Sequence, residues 1–88
     1  MSQQDTLLEF PCEFPLKVMG PTRPDFVEVI RAVVAEHAPG FDASHIEMRG
    51  SSGGNYISLT CTVTATSRQQ LDALYRALSA HPMVKVVL

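Results

Sequence analysis

The chain has 88 residues and a mass of 9.6 kDa, enough for one small domain. Hydrophobic residues make up 45% of it and charged residues 18%, which is too apolar for a disordered chain. A formal net charge of −2 argues against a dedicated binder of nucleic acid or of membrane surfaces. The N-terminus lacks the features of a signal peptide, and the two cysteines show no CxxC spacing. We therefore expect a cytoplasmic protein with reduced thiols.

The first twelve residues predict an N-terminal tail in front of a domain formed by residues 13–88. The tail turns apolar at Leu7, Leu8 and Phe10, and we expect this part of it to pack onto the domain. Alternation from Glu13 to Gly20 then predicts a strand.

A helix is predicted after that strand. Thr22 can cap it, Pro24 suits its first turn, and Asp25 favours the positive end of the helix dipole. Apolar residues follow at helical spacing as far as Val34, and proline and glycine at 39–40 end the helix.

The second half of the chain repeats the arrangement. Residues 45–49 alternate, residues 51–55 form a turn cluster, and residues 56–66 give the clearest strand pattern. Ser67 and Gln70 have the spacing of a capping box in front of a second amphipathic helix, and residues 83–88 predict a short apolar strand.

The predicted order is βαββαβ, and the apolar positions of the two helices match under a shift of 45 residues. Right-handed connections make this an α+β, ferredoxin-like two-layer sandwich. Its antiparallel sheet has the strand order 4-1-3-2, and both helices cover one face. The predicted core consists of Phe14, Leu16, Val18, Phe26, Ile30, Val33, Val34, Ile46, Met48, Ile57, Leu59, Cys61, Val63, Leu71, Leu74, Leu78, Val84 and Val86.

The other face of the sheet is left open, either to solvent or to a partner. By alternation it carries Lys17, Met19, Glu47, Arg49, Tyr56, Ser58, Thr60, Thr62, Lys85 and Val87. Binding RNA on such a face requires aromatic rings for bases to stack on, and only Tyr56 is aromatic. The apolar C-terminal strand lies at an edge, which favours homodimerisation over the alternative that the N-terminal tail covers exposed surface.

No motif predicts an enzyme, a metal site or a bound cofactor. His37 and His81 lie near helix ends, where imidazolium is commonly stabilising, and no HxxxH spacing accompanies them. Cys61 is expected in the core, and Cys12 has no basic neighbour in sequence that would activate it. A phosphatase-like site that uses Arg23 and Asn55 is the enzymatic alternative, although prolines remove amide donors from the loop beside Arg23.

Several motifs recur in the order known from one bacterial family. These are Phe10-Pro11, Phe14, Lys17-Val18-Met19-Gly20, His37-Ala38-Pro39, Ser51-Ser52, Gly54-Asn55-Tyr56 and Val84-Lys85-Val86-Val87-Leu88. On these residues the chain resembles the YbeD-like family of small proteins of unknown function, from about Leu7 to Leu88.

The resemblance implies a fold similar to the small-molecule-sensing ACT regulatory domains, and a role in lipoate-linked regulation. By position, it places a ligand near Lys17, Met19, Gly20 and Pro21, with Asn55 and Tyr56 as a second site at the far hairpin. We therefore expect a non-catalytic regulatory or adaptor module that acts in trans, with small-molecule sensing as one form of it. A protein-interaction module without a ligand is the alternative.

Overall fold

The computed structural model describes residues 9–51 and 53–88. Its elements in chain order are β1 (Cys12–Pro21), α1 (Pro24–His37), a short 3-10 helix (Ala43–His45), β2 (Ile46–Gly50), β3 (Tyr56–Ala65), α2 (Arg68–Ala80) and β4 (Val86–Val87). This is the βαββαβ order that the sequence predicts. Leu7 and Leu8, on which the expected packing of the tail depends, lie outside the described residues.

The sheet has the order β2-β3-β1-β4, and each of these pairings is antiparallel. β1 and β3 run side by side through the centre, from the pair Cys12 and Ala65 to the pair Pro21 and Tyr56. The predicted ferredoxin-like sandwich and its strand order 4-1-3-2 are confirmed.

The two helices begin differently. Arg23, not Thr22, is the N-cap of α1; its side chain makes no capping hydrogen bond, so the predicted cap was wrong. In α2 the Oγ of Ser67 accepts from the backbone N–H of Gln70 at 3.0 Å, as a capping box requires. The Gln70 side chain, however, accepts from the N–H of Thr66 at 2.6 Å, one residue before the N-cap.

One face of the sheet and one stripe of each helix form the core. The buried residues are Leu16, Val18, Phe26, Ile30, Val34, Ala38, Phe41, Leu59, Cys61, Val63, Ala65, Leu71, Leu74 and Leu78. Ala38, Phe41 and Ala65 were missed from the sequence. Phe14, Val33, Ile46, Ile57 and Val84 are only partly buried.

Met48 and Val86 were wrongly assigned to the core. Met48 lies opposite the buried Leu59, on the helix side of the sheet, but its side chain is 62% exposed. Its strand, β2, lies at the edge of the sheet and packs chiefly against β3, so the helices do not cover it.

Val86 faces outward because an extra residue interrupts the pairing of β4. Val86 lies opposite Met19, yet the N–H of the preceding Lys85 also donates to the Met19 carbonyl, at 2.8 Å. Two residues opposite one is the arrangement of a β-bulge, and it shifts the alternation by one position. Val84 and Val87 therefore pack against the core, while Lys85 and Val86 are exposed.

Candidate functional site

The open face of the sheet has two rows of side chains near its middle. Lys17 on β1 lies opposite Thr60 on β3, which in turn lies opposite Glu47 on β2. The next row along the strands consists of Met19, Ser58 and Arg49. Because side chains of paired residues point to the same face of a sheet, these rows place positive, negative, hydroxyl and apolar groups side by side.

A depression of about 380 Å³ lies over these rows. We call it the open-face depression, and it is lined by Lys17, Glu47, Met48, Arg49, Ser58 and Thr60. Within the part of the chain that the structure describes, no ion pair engages the charged groups of Lys17, Glu47 or Arg49. Two cations and one carboxylate thus remain accessible around two hydroxyl-bearing side chains.

Apolar side chains adjoin the two rows on the open face. Val86 lies opposite Met19 and Leu88 opposite Lys17, while Tyr56 lies two residues before Ser58 on β3. Tyr56 is 41% exposed, Val86 42% and Leu88 64%. Leu88 exchanges backbone hydrogen bonds with Lys17, at 2.8 and 3.1 Å, so β-type pairing continues to the last residue. The Lys85 ammonium lies 5.9 Å from the centre of the Tyr56 ring, at the outer limit of a cation–π contact.

The structure brings together the two sites that the sequence treats as separate. Tyr56 lies directly opposite Pro21, and the N–H of Thr22 donates to the carbonyl of Asn55 at 3.2 Å. The hairpin residues therefore adjoin the end of β1 instead of forming a distant second site.

Gly20 differs from the other expected ligand residues because it faces the helices. It is buried, it pairs with Ile57, and a Cβ built on it would overlap the ring of Phe26. Its lack of a side chain serves the close packing of β1 against α1.

The loop that would hold phosphate in the enzymatic alternative uses its donors internally. The Thr22 N–H donates to Asn55, and the Arg23 N–H donates to the carbonyl of Pro21 at 2.9 Å. The Arg23 guanidinium pairs with the carboxylate of Asp25 at 3.2 Å. These contacts do not favour a phosphate cradle at this loop.

His37, His81 and Cys61 occupy structural positions. The Nδ1 of His37 lies 3.0 Å from the carbonyl oxygen of Val33, and that of His81 accepts from the N–H of Met83 at 3.1 Å. Burial raises the pKa of the Cys61 thiol to about 11, which keeps it protonated at neutral pH.

Sequence reasoning missed a second, smaller depression of about 180 Å³ at the far end of the sheet. Its lining includes Glu13, Phe41, His45, Thr62 and Thr64. Next to it, hydrogen bonds from the Ser44 hydroxyl and backbone N–H lower the pKa of Asp42. These residues come from three separate stretches of chain without a shared motif, so only the fold shows that they converge.

Within residues 9–51 and 53–88, no three His, Cys, Asp or Glu side chains are grouped so that they could hold a metal ion. In the same ranges, neither helix is long and apolar enough to cross a membrane.

Comparison with known proteins identifies the family. A UPF0250 protein of Paraburkholderia phytofirmans is 59% identical over 87 residues, which cover 99% of this chain and 98% of that protein. A UPF0250 protein of Bordetella pertussis is 55% identical over 85 residues, which cover 97% of this chain and 93% of that protein.

A solved structure shows the same fold. The solution structure of protein HP0495 from H. pylori has a TM-score of 0.75 at 13% identity, over 92% of this chain and 85% of that one. The family described as "Protein of unknown function (DUF493)" matches residues 5–88. The YbeD-like resemblance is therefore confirmed, and the chain belongs to the DUF493 family.

Proposed function

We propose that this protein is a non-catalytic, cytoplasmic regulatory module that binds a small carboxylate in its open-face depression and acts on another protein in trans. The observation that carries the proposal is the lining of the depression. It combines accessible cations, Lys17 and Arg49, with hydroxyls between them and an apolar border beside them.

The lining suits a carboxylate with a short hydrocarbon part. A carboxylate accepts charge-assisted hydrogen bonds from ammonium and guanidinium groups, and the hydroxyls of Ser58 and Thr60 supply further donors. The neighbouring side chains of Tyr56, Val86 and Leu88 offer exposed apolar surface to the remainder of such a ligand. Glu47 adds an acceptor that an amino group would pair with, so amino acids also match this chemistry.

The family resemblance narrows the ligand class further. It implies lipoate-linked regulation and an ACT-like mode of action, in which a ligand shifts a protein between two states through its different affinities for them. Lipoate and octanoate are carboxylates with a hydrocarbon chain, and they are therefore the first compounds to test.

Thermal-shift titration with lipoate, octanoate and a panel of amino acids at millimolar concentration tests the proposal. A ligand raises the melting temperature because it adds RT ln(1 + [L]/Kd) to the stability of the folded state. We expect Lys17→Ala to weaken binding by about tenfold or more, as removal of a charge-assisted hydrogen bond does. Arg76→Ala, which removes an exposed cation from α2, is the matched control and should bind normally. Absence of any shift with every compound contradicts the proposal.

The exposed apolar border also supports a second candidate function. Tyr56, Val86 and Leu88 together offer a surface of the kind found in protein interfaces, so the module also fits an adaptor without a ligand. Affinity capture with wild-type protein and with Val86→Asp separates the two. A protein partner lost in Val86→Asp, together with no thermal shift from any small molecule, favours the adaptor.

A further inference from the structure

The outer edge of the sheet at β2 is accessible along its length. β2 comprises Ile46–Gly50, and β3 is its only neighbour in the sheet among the described residues. Residues 47–50 are all exposed, and Ile46 is partly buried. The register with β3 is continuous, from Ile46 opposite Cys61 to Gly50 opposite Ile57, so β2 is a regular strand without a bulge.

The hydrogen-bond pattern shows which backbone groups point outward. The N–H of Ser51 donates to the carbonyl of Tyr56 at 3.0 Å, in the same register as the strand pairs. Hydrogen-bonded pairs alternate along an antiparallel ladder, so Arg49 and Glu47 direct their N–H and C=O groups toward β3. Ile46, Met48 and Gly50 consequently direct theirs away from the sheet.

We propose that β2 pairs antiparallel with β2 of a second copy of this chain, around a two-fold axis at Met48. In this register Met48 lies opposite the partner's Met48, and Ile46 lies opposite the partner's Gly50. These are the residues with outward N–H and C=O groups, so the pairing forms about six backbone hydrogen bonds. The result is a continuous eight-stranded sheet.

Charge complementarity favours a second copy of this chain as the partner of β2, and it favours this register. Glu47 lies opposite the partner's Arg49, and two-fold symmetry repeats the pair on the other side of the axis. Both residues occupy positions without backbone hydrogen bonds between the strands, where side chains of an antiparallel pair approach most closely. Within the described chain neither charge has an ion-pair partner, so each is available for this contact.

The same pairing buries part of the exposed Met48 side chain. It is 62% exposed although it lies on the helix side of the sheet, beyond the reach of the helices. In the dimer it meets the partner's Met48 on that side, which removes apolar surface of both side chains from water.

The opposite edge is less suited to pairing. β4 has two residues, and the shared hydrogen bonding of Lys85 and Val86 to Met19 marks a bulge, a device that protects sheet edges. The homodimer expected from the sequence at the C-terminal strand is therefore assigned here to β2. This inference does not rest on the proposed ligand. Because Arg49 also lines the open-face depression, the partner's Glu47 and a ligand carboxylate compete for it, and Lys17 is the cation that the dimer leaves to a ligand.

Sedimentation equilibrium tests the pairing. A short edge-to-edge contact buries less than the roughly 1,200 Å² of stable complexes, so we expect a dissociation constant between about 10 µM and 1 mM. Glu47→Arg and Arg49→Glu each place like charges opposite one another twice, and each should raise the dissociation constant about tenfold or more. The double variant E47R/R49E restores opposite charges and should return it to within about threefold of the wild type.

The two single variants also exclude a general effect of net charge. Glu47→Arg takes the formal charge from −2 to neutral, which by itself favours association, whereas Arg49→Glu makes the chain more acidic. Glu36→Arg on the exposed side of α1 changes the charge by the same amount as Glu47→Arg and should leave the dimer unchanged.

A wild-type monomer at 1 mM overturns the proposal. A dissociation constant that neither charge reversal changes overturns it as well.

A backbone variant gives an independent test. Met48→Pro removes an N–H that β3 does not use, so the β2–β3 ladder remains intact while pairing with a second copy is blocked. We expect Met48→Pro to be monomeric with a folded far-UV spectrum, whereas Met48→Ala should still dimerise. A dimer of Met48→Pro as tight as the wild type contradicts the assignment to β2.

Discussion

Gly20 shows how one residue sets the distance between layers. It lies near the end of the central strand β1, on the helix side of the sheet, where a Cβ would overlap the Phe26 ring and approach the carbonyl oxygen of Met83 to 2.7 Å. Because that oxygen belongs to the backbone, it cannot rotate away as a flexible side chain does.

We expect Gly20→Ala to lower the free energy of unfolding by about 1–3 kcal/mol, the usual effect of overpacking a core. Gly50→Ala is the control, because a Cβ there meets no atom within 4 Å. It should change the stability by less than about 1 kcal/mol. Urea unfolding of both variants at low protein concentration gives the comparison, and equal stabilities would contradict the packing described for Gly20.

The two cysteines should differ in reactivity. Cys61 is buried and its pKa is raised to about 11, whereas Cys12 is partly exposed. Since the thiolate is the reactive form, Cys61 should react with a thiol reagent at pH 8 only after unfolding. Mass spectrometry of alkylated native protein measures this, with Cys12→Ser as the control that isolates Cys61. Rapid native labelling of Cys61 would contradict its placement in the core.

At the scale of single residues, the sequence predicts the core better than the sites. Periodicity identified Phe26, Ile30 and Leu74 as buried, because amphipathic helices bury a fixed stripe. It failed for Met48, whose exposure depends on how far the helices extend across the sheet. A local sequence pattern carries no information on how far the helices extend across the sheet.

Among the elements, β4 shows the limit of reasoning from alternation. The pattern of residues 83–88 predicts a strand, but the strand itself is Val86–Val87, and the bulge at Lys85 reverses the predicted faces of these two residues. A bulge is fixed by pairing with β1, so the sequence of β4 alone does not reveal it.

Gln70 joins the two helices. Its side-chain amide donates to the carbonyl of His37, at the end of α1, at 2.9 Å, while its carbonyl oxygen accepts from the N–H of Thr66. One side chain thus satisfies the His37 carbonyl, which the end of α1 leaves without a helical partner, and a backbone N–H just before the start of α2.

We expect Gln70→Ala to lower the free energy of unfolding by about 1–2 kcal/mol, because these backbone groups lose their partner. Gln69→Ala, at the exposed neighbouring position, should change it by less than about 0.5 kcal/mol. Thermal or urea unfolding of the pair measures the difference. Because alanine forms helices at least as well as glutamine, helix propensity does not account for a loss in either variant. A loss of the same size in both variants would contradict a stabilising role of the Gln70 hydrogen bonds.

For the molecule as a whole, the order of elements was accessible from the sequence and the site was not. Alternating patterns and turn residues specify βαββαβ, and the rules of chain connection then leave few topologies. The open-face depression instead depends on which residue of β1 lies opposite which residue of β3 and β2. Lys17 and Glu47 are thirty positions apart in the chain, and only the register places them in one row.

The two faces of the sheet have different surroundings. The helices bury the core face of the sheet, while accessible charges and apolar side chains are grouped on the opposite side. We therefore propose that binding takes place on this open face.

Backbone amide chemical shifts, followed by NMR during titration with octanoate, show directly whether ligand binds on the open face. We expect the largest changes at Lys17, Ser58 and Thr60, and Lys17→Ala should remove them. Changes concentrated on the exposed sides of α1 and α2, or no changes at millimolar octanoate, would contradict it.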